Sequence, residues 1–261
     1  MNEKSEAQLL ARAGDLLCRA ERGEVACTPF LTPREQRMLR EGLAFARDKI
    51  LFAGGYGSAE RARLYALPDY ISEQEESLRG ELLEEIFAAS LVALSVKGSG
   101  YRELSHRDYL GAILNLGIER DAIGDVCVIS KNEAVLFCDR TMAEFLKSDL
   151  SRVASDVVSV KEITLPDGFD GGREFVPVTD TVASPRADAV VAALCNLSRE
   201  RAQALFRAGL VDIDYEPIQK YDKELGVGTV ITVRGHGKFI VRSLSDKTKK
   251  GRFRLLADRY V

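Results

Sequence analysis

Apolar residues recur at helical spacing in the first fifth of the chain and in part of its last third, and alternate with polar residues across much of the stretch between. Leu9, Leu10, Ala13, Leu16 and Leu17 predict a first helix ending near Gly23, and Ser5-Glu6-Ala7-Gln8 reads as its capping box. A second helix is expected from Thr32-Pro33-Arg34-Glu35, which combines an N-cap, a proline at the first helical position and a glutamate at the third. Met38, Leu39, Leu43 and Ala46 would form its buried side. Lys49 to Ala53 reads as a short strand running into Gly54-Gly55-Tyr56-Gly57, with a charged helical turn from Ser58 to Arg63. Glu73 to Glu85 is acidic and helix-prone, the pattern of a solvated face.

From Ser90 onward the elements form a connected series. Leu91 to Val96 is β-like. Ser105 caps a helix to about Leu116, with Asp108 at its third position and Leu104 and Tyr109 placed as a hydrophobic staple. Asp125 to Ser130 and Ala134 to Cys138 read as strands around a turn. Thr141-Met142-Ala143-Glu144 reads as another capping box, and Val157 to Ile163 as a strand. The order β-α-β-β-α-β is that of ferredoxin-like folds, which the RNA recognition motif also uses. That motif stacks bases on aromatics of its central strands, and only Phe137 is available here.

Leu165 to Gly172 is turn-rich and reads as a linker, followed by a lead-in strand to Val182. Ala187, Val190, Val191 and Leu194 then share one helix face. Ser198 caps a second short helix with Ala202, Leu205 and Phe206 as its stripe, ending at Gly209. Leu210 to Asp214 and Thr229 to Val233 alternate as strands. The fold class expected is α+β, in four parts: an N-terminal helical/αβ segment (1–86), a ferredoxin-like (RRM-like) domain (87–164), a linker with its strand (165–182), and a C-terminal domain with a basic extension (183–261).

Charge changes the picture at that last boundary. The chain of 261 residues carries a net −3, yet residues 183–261 hold 15 Lys+Arg against 9 Asp+Glu, a balance of +6 that leaves −9 for the rest. This asymmetry suits one domain meeting an anion. A solvated basic tail is the plainer reading of the final stretch, Arg234 to Arg259. On the second short helix, Arg199, Gln203 and Arg207 form an i, i+4, i+8 ridge beside the apolar stripe, able to face a phosphate backbone. Arg186, Ser198, Arg234, Lys238, Lys249, Lys250 and Arg252 complete the candidate RNA-binding set. Ser105, His106 and Arg107, at a helix start, make a possible second contact.

Other chemistry is poorly provided for. Five cysteines (Cys18, Cys27, Cys127, Cys138, Cys195) lack metal spacing and read as buried free thiols. With two histidines no zinc site is expected. The glycine turn at Gly54 lacks any phosphate-loop or dinucleotide fingerprint and reads as a tight turn. No apolar run reaches membrane length, and the charged N-terminus is no signal segment, so a cytosolic protein is expected. His106-Arg107-Asp108 fails as a kinase loop because Ile113 stands where Asn is needed. An RNA-modifying enzyme of the pseudouridine synthase type, using Asp108, is the rival reading, and an adaptor whose acidic half meets a protein partner is a third.

Arg186-Ala187-Asp188, Ser198-Arg199, Ala202, Gly209-Leu210-Val211 and Gly228 resemble the S4 domain, an RNA-binding module; Asp214 and Thr229 depart from its usual Asn and Asp. Over nearly the whole chain, Thr32-Pro33-Arg34-Glu35-Gln36, Gly54-Gly55-Tyr56 with Ala59-Glu60-Arg61, Leu104 to Gly111, Asn115 to Ile118, Arg120, Ile123-Gly124-Asp125 and Arg234-Gly235-His236-Gly237-Lys238-Phe239 resemble the bacterial YlmH family. Photosystem II S4-domain proteins are similar. The resemblance implies a non-catalytic RNA-binding protein without cofactor or metal. Its expected partners are structured RNA (rRNA, tRNA) and the ribosomal large subunit, with a role in rescue of stalled translation, and neither DNA nor membrane is expected.

Overall fold

Helix α1 (Glu3–Ala20) starts ahead of Ser5, so Ser5 lies inside the helix and does not cap it. The capping-box signature tolerates this error because serine is also accepted in a first turn. The structure, a computed structural model, describes residues 3–247 and 251–260, and it divides into two compact units, Met1–Gly172 and Arg173–Val261. Among the described residues it is mixed α and β, with three sheets.

In the first unit, strand β1 (Ala26–Cys27) precedes helix α2 (Pro33–Gly42). This helix begins as its sequence predicts: Thr32 Oγ1 accepts from Glu35 N at 3.4 Å, and Glu35 Oε2 accepts from Thr32 N at 2.7 Å. Such a cap stabilises by about 1 kcal/mol. Ala13, Leu17 and Ala20 of α1 pack with Leu39 of α2 and with Leu43 and Ala46 beyond it. Strands β2 (Ile50–Ala53) and β3 (Arg63–Ala66) complete an antiparallel sheet of order β1-β3-β2. Helices α3 (Asp69–Ser72) and α4 (Glu76–Ser90) follow, and α4 buries no residue fully, consistent with its acidic composition.

The helical turn expected from Ser58 to Arg63 is not formed. Glu60 N and Arg61 N donate instead to the Asp125 carboxylate, at 2.7 and 3.0 Å, and Arg63 already belongs to β3. A tertiary acceptor outcompetes the local helical bonds.

The rest of the unit is β4 (Val92–Gly98), α5 (His106–Asn115), β5 (Ile123–Ser130), β6 (Glu133–Cys138), α6 (Arg140–Asp149), β7 (Arg152–Val153) and β8 (Asp156–Glu162). The strands form one antiparallel sheet of order β5-β6-β4-β8-β7. Helix α6 is capped by Asp139, whose side chain accepts from Met142 N at 2.8 Å, so the box expected at Thr141 begins two residues too late. Strand alternation gives the sheet two faces. Leu94, Val96, Ala134 and Leu136 pack under Tyr109, Ile113, Ala143 and Leu146 of the two helices. Cys127, Val135 and Phe137 point the other way.

That second face is closed by the chain itself. Tyr56 stacks on Phe137 with ring centroids 4.9 Å apart and planes 25° apart, and Phe169 meets Tyr56 edge-on at 5.3 Å. The stack is possible because Gly55 has no side chain: a Cβ there would stand 2.4 Å from the Phe137 ring, and its φ of +99° suits glycine. The glycine turn is therefore a packing device. Arg61 ties the neighbouring segments together, donating to Phe30 O at 2.7 Å and to Ile123 O at 3.1 Å.

The second unit contains β9 (Phe175–Val182), α7 (Ala187–Leu194), α8 (Arg199–Arg207), β10 (Val211–Ile213), β11 (Glu216–Pro217), β12 (Val230–Val233), β13 (Gly237–Lys247) and β14 (Phe253–Tyr260). Its sheet has the order β11-β10-β12-β13-β14-β9. The basic C-terminal stretch is thus no solvated tail: Leu255 and Ala257 are buried, and β14 pairs with β13 on one side and β9 on the other. Arg254 alternates with core Leu255 and Ala257, whereas Arg259 shares their side of the strand and extends over Gly237 at its end. Val190, Val191 and Leu194 of α7 and Ala202 and Phe206 of α8 cover this sheet. Asp214 and Tyr215 adopt left-handed backbone (φ 51° and 67°), which Asp tolerates, and Asp214 Oδ1 accepts from Val230 N at 3.0 Å.

All five cysteines are free, but only Cys127 and Cys138 are buried, and Cys18 is exposed because it falls on the outer side of α1. Among the described residues no helix is long and apolar enough to cross a membrane, and no group of three potential ligands could hold a metal ion.

Candidate nucleic-acid interface

The helix pair of the second unit is built around a buried carboxylate. Asp188, in the first turn of α7, is wholly buried, and the first residue of α8 reaches it. Arg199 donates through Nε to Oδ2 at 3.0 Å and through Nη2 to Oδ1 at 3.2 Å, a two-pronged fork. Gln203, one helical turn later, donates to Oδ2 at 2.7 Å, and Arg186 Nε lies 3.4 Å from Oδ1. Burial alone would raise the Asp188 carboxyl's pKa. The bonds from Arg199 and Gln203, with the charges of Arg199 and Arg186, outweigh it and hold the group below the usual carboxylate range.

The ridge predicted on α8 is therefore present but partly committed. Arg199 and Gln203 serve Asp188 first, and what remains for a ligand is the outer edge of each side chain. That edge is substantial, because 49% of the Arg199 side chain and 37% of the Arg186 side chain remain exposed. Arg207, in the last turn of α8, is exposed and makes no ion pair among the described residues. Ser198 caps α8, its hydroxyl accepting from Arg201 N at 3.2 Å. Reversing the charge of Arg199 would set a carboxylate against a buried carboxylate, so such a variant tests the fold and not RNA contact.

Arg252 extends this side. With Arg199 it lines a cleft of about 280 Å³ whose floor is Ala189, Ala192 and Ala193 of α7 and whose wall is the Asp180–Val182 end of β9. One Arg252 guanidinium nitrogen donates to Thr181 O. Lys249 and Lys250 lie outside the described residues.

Lys238 goes elsewhere. Its neighbours Phe239 and Val241 point into the core under the helices, so alternation puts Lys238 on the opposite face of the sheet. There its Nζ sits 4.9 Å from the Tyr215 ring centroid and 4.6 Å from that of Tyr260. Arg234 occupies the turn between β12 and β13, exposed beside Gly235. The structure also brings in a residue that sequence reasoning left in the tail. Arg259 lies across Gly237, where a Cβ would stand 3.2 Å from its Nε, so it joins Arg234 at that turn. Recognising β14 as a strand would have exposed this placement.

In the first unit, Ser105 and Asp108 form a reciprocal cap. Asp108 Oδ2 accepts from Ser105 N at 2.8 Å and from its hydroxyl at 2.7 Å, and Asp108 N donates back to Oγ at 3.3 Å. Those bonds, chiefly the hydroxyl's, hold the Asp108 carboxyl below its ordinary value. His106 and Arg107 are exposed at the first turn of α5. Desolvation, and then the charge of Arg120, lower the His106 pKa.

Residues 84–167 match the family described as "Putative RNA-binding domain in YlmH". The chain is 29% identical over 239 residues, spanning 92% of its length and 89% of the relative's, to "Ribosome-associated protein quality control protein P2" of Bacillus subtilis (strain 168). A solved structure, "Cell division protein ylmH from Streptococcus pneumoniae", aligns with a TM-score of 0.49 at 19% identity, covering 65% of this chain and 98% of that one.

Proposed function

Because this chain belongs to the YlmH family, we propose that it is a non-catalytic protein that binds structured RNA, rRNA or tRNA, on the ribosomal large subunit and acts in quality control of stalled translation in the cytoplasm. The name of the Bacillus relative supports the ribosomal setting. In this proposal the second unit is an S4-type module and the sheet of residues 92–162 is ferredoxin-like.

One observation carries the reading: the Arg199 fork is fixed on buried Asp188, with Arg186 beside it. A guanidinium held in place before the ligand arrives loses less freedom on meeting a phosphate. Arg207, Arg234, Arg252 and Lys238, with Lys249 and Lys250, supply further positive charge around this unit, and Ser105, His106 and Arg107 a second contact. The rival enzymatic use of Asp108 is disfavoured because one of its oxygens takes both cap bonds, so the cap accounts for this residue without chemistry.

Binding of a labelled rRNA fragment, measured over a range of salt, tests the proposal. The logarithm of the affinity should fall linearly with log salt, and Arg207→Glu with Arg234→Glu should weaken binding and flatten the slope by about 2. A double variant that binds with the parental affinity and slope would overturn the surface chosen. Sedimentation of the protein apart from large subunits in cell extracts would overturn the ribosomal setting.

A further inference from the structure

Sheets of the β-α-β-β-α-β type that bind RNA offer aromatic rings on an open face. Here that face is sealed, since Phe137 is 1% exposed beneath Tyr56. An RNA contact by this part of the chain must use another aromatic. Tyr101, in the loop between β4 and α5, is 88% exposed, more than any other large apolar or aromatic side chain in the described structure.

The loop that carries it is anchored, not slack. Gly98 N donates to Asn132 O at 2.7 Å, and Asn132 Nδ2 returns a bond to Gly98 O at 2.9 Å. At the other end Leu104 is buried and its N donates to Lys131 O at 2.7 Å. Between them the Ser99 hydroxyl donates to the buried Asp156 carboxylate and accepts from Tyr101 N at 3.3 Å. A backbone fixed this way presents the ring to solvent with little freedom left to lose. Cationic residues lie on the segments around the loop: Arg102 is next in the chain and pairs with Asp108 at 3.7 Å, Lys131 is at the hairpin tip that receives the loop, and Arg107 is the second residue of α5.

We infer that Tyr101 stacks on an unpaired base of the bound RNA, with Arg102, Lys131 and Arg107 near the flanking phosphates. This rests on the RNA-binding reading above. An exposed ring costs solvation for no packing return. Cations beside it favour a polyanion whose bases have π faces, and a duplex, whose bases are already stacked, offers it nothing.

The chain contains no tryptophan, so Tyr101→Trp creates a single fluorescent reporter in the full-length protein. Titration with a hairpin RNA carrying an unpaired loop should quench it, and a blunt duplex should not. Tyr101→Ala should weaken binding of the hairpin roughly tenfold, leave duplex affinity unchanged, and be rescued by Tyr101→Phe. Equal hairpin affinity for Tyr101→Ala and the parent, without quenching of the reporter, would overturn the stacking role and leave the RNA-binding reading in place. Failure of the parent protein to bind any of these RNAs would overturn both.

Discussion

The Tyr56 hydroxyl donates a 2.7 Å hydrogen bond to Asp125, a residue 69 positions further along the chain. That bond fixes the ring in the plane where it stacks on Phe137, and the same carboxylate orders the backbone of Glu60 and Arg61. One carboxylate therefore joins the glycine turn, the loop after it and the start of β5.

Removing the hydroxyl alone, Tyr56→Phe, leaves Asp125 its two backbone donors and should cost about 1–2 kcal/mol. Tyr56→Ala also uncovers Phe137 and should cost about 3 kcal/mol or more. Urea denaturation gives both values, and an equal or reversed order would refute the assignment. The pKa of Tyr56 is raised, first by burial and then by the Asp125 charge. A raised acid contributes stability that is complete below the unfolded value of 10.0 and lost as pH rises above it, so Tyr56→Phe should lose less stability than the parent under alkaline conditions.

Gly55 and Gly57 lie two residues apart and should behave oppositely. Alanine at Gly55 meets the Phe137 ring at 2.4 Å with a φ of +99°, whereas nothing lies within 4 Å of a Cβ at Gly57. Gly55→Ala should lower stability by at least about 2 kcal/mol, and Gly57→Ala by less than about 0.5 kcal/mol. Thermal unfolding of the two variants side by side decides it.

Asp188→Ala removes the acceptor shared by Arg199 and Gln203. The half-exposed Arg199 can turn to water, so the loss should be about 2 kcal/mol and not the larger penalty of a stranded buried charge. The Asp188 pKa lies below the unfolded 3.8, so its stabilising contribution is complete above that value and lost as pH falls below it. Acid unfolding of the Asp188→Ala variant should show a shallower pH dependence than that of the parent in that range.

Asp108→Ala removes the reciprocal cap of α5 and should cost about 1 kcal/mol by denaturant titration. RNA affinity should stay within about twofold of the parent. Loss of RNA turnover with intact stability would instead point to chemistry at this residue.

Local signals carried far in this chain. The caps at Thr32 and Ser105 and the strand–helix order from Val92 to Glu162 were legible because each depends on neighbouring residues. Errors arose where a distant group intervened or a signature was degenerate. The Ser58 turn yielded to Asp125, and the box at Thr141 was displaced by a better cap at Asp139. Asp188 enters the sequence reading only within Arg186-Ala187-Asp188, and nothing nearby announces that two side chains of the next helix converge on it. Phe137 is the one aromatic that the central strands offer, but the ring that covers it lies on a glycine turn far upstream. The basic C-terminal stretch hid its strand because Arg252, Arg254 and Arg259 bracket a short run whose buried positions are only Leu255 and Ala257.

The Tyr56–Phe137 stack also limits how the chain can be divided. A fragment cut at residue 84 or 87 keeps the five-stranded sheet but discards Tyr56 and the backbone donors of Glu60 and Arg61. Such a fragment would carry a greasy, half-dressed sheet and an unanswered Asp125, and would tend to precipitate or pair with itself. Preparative work on the RNA-binding region is better served by beginning at α1.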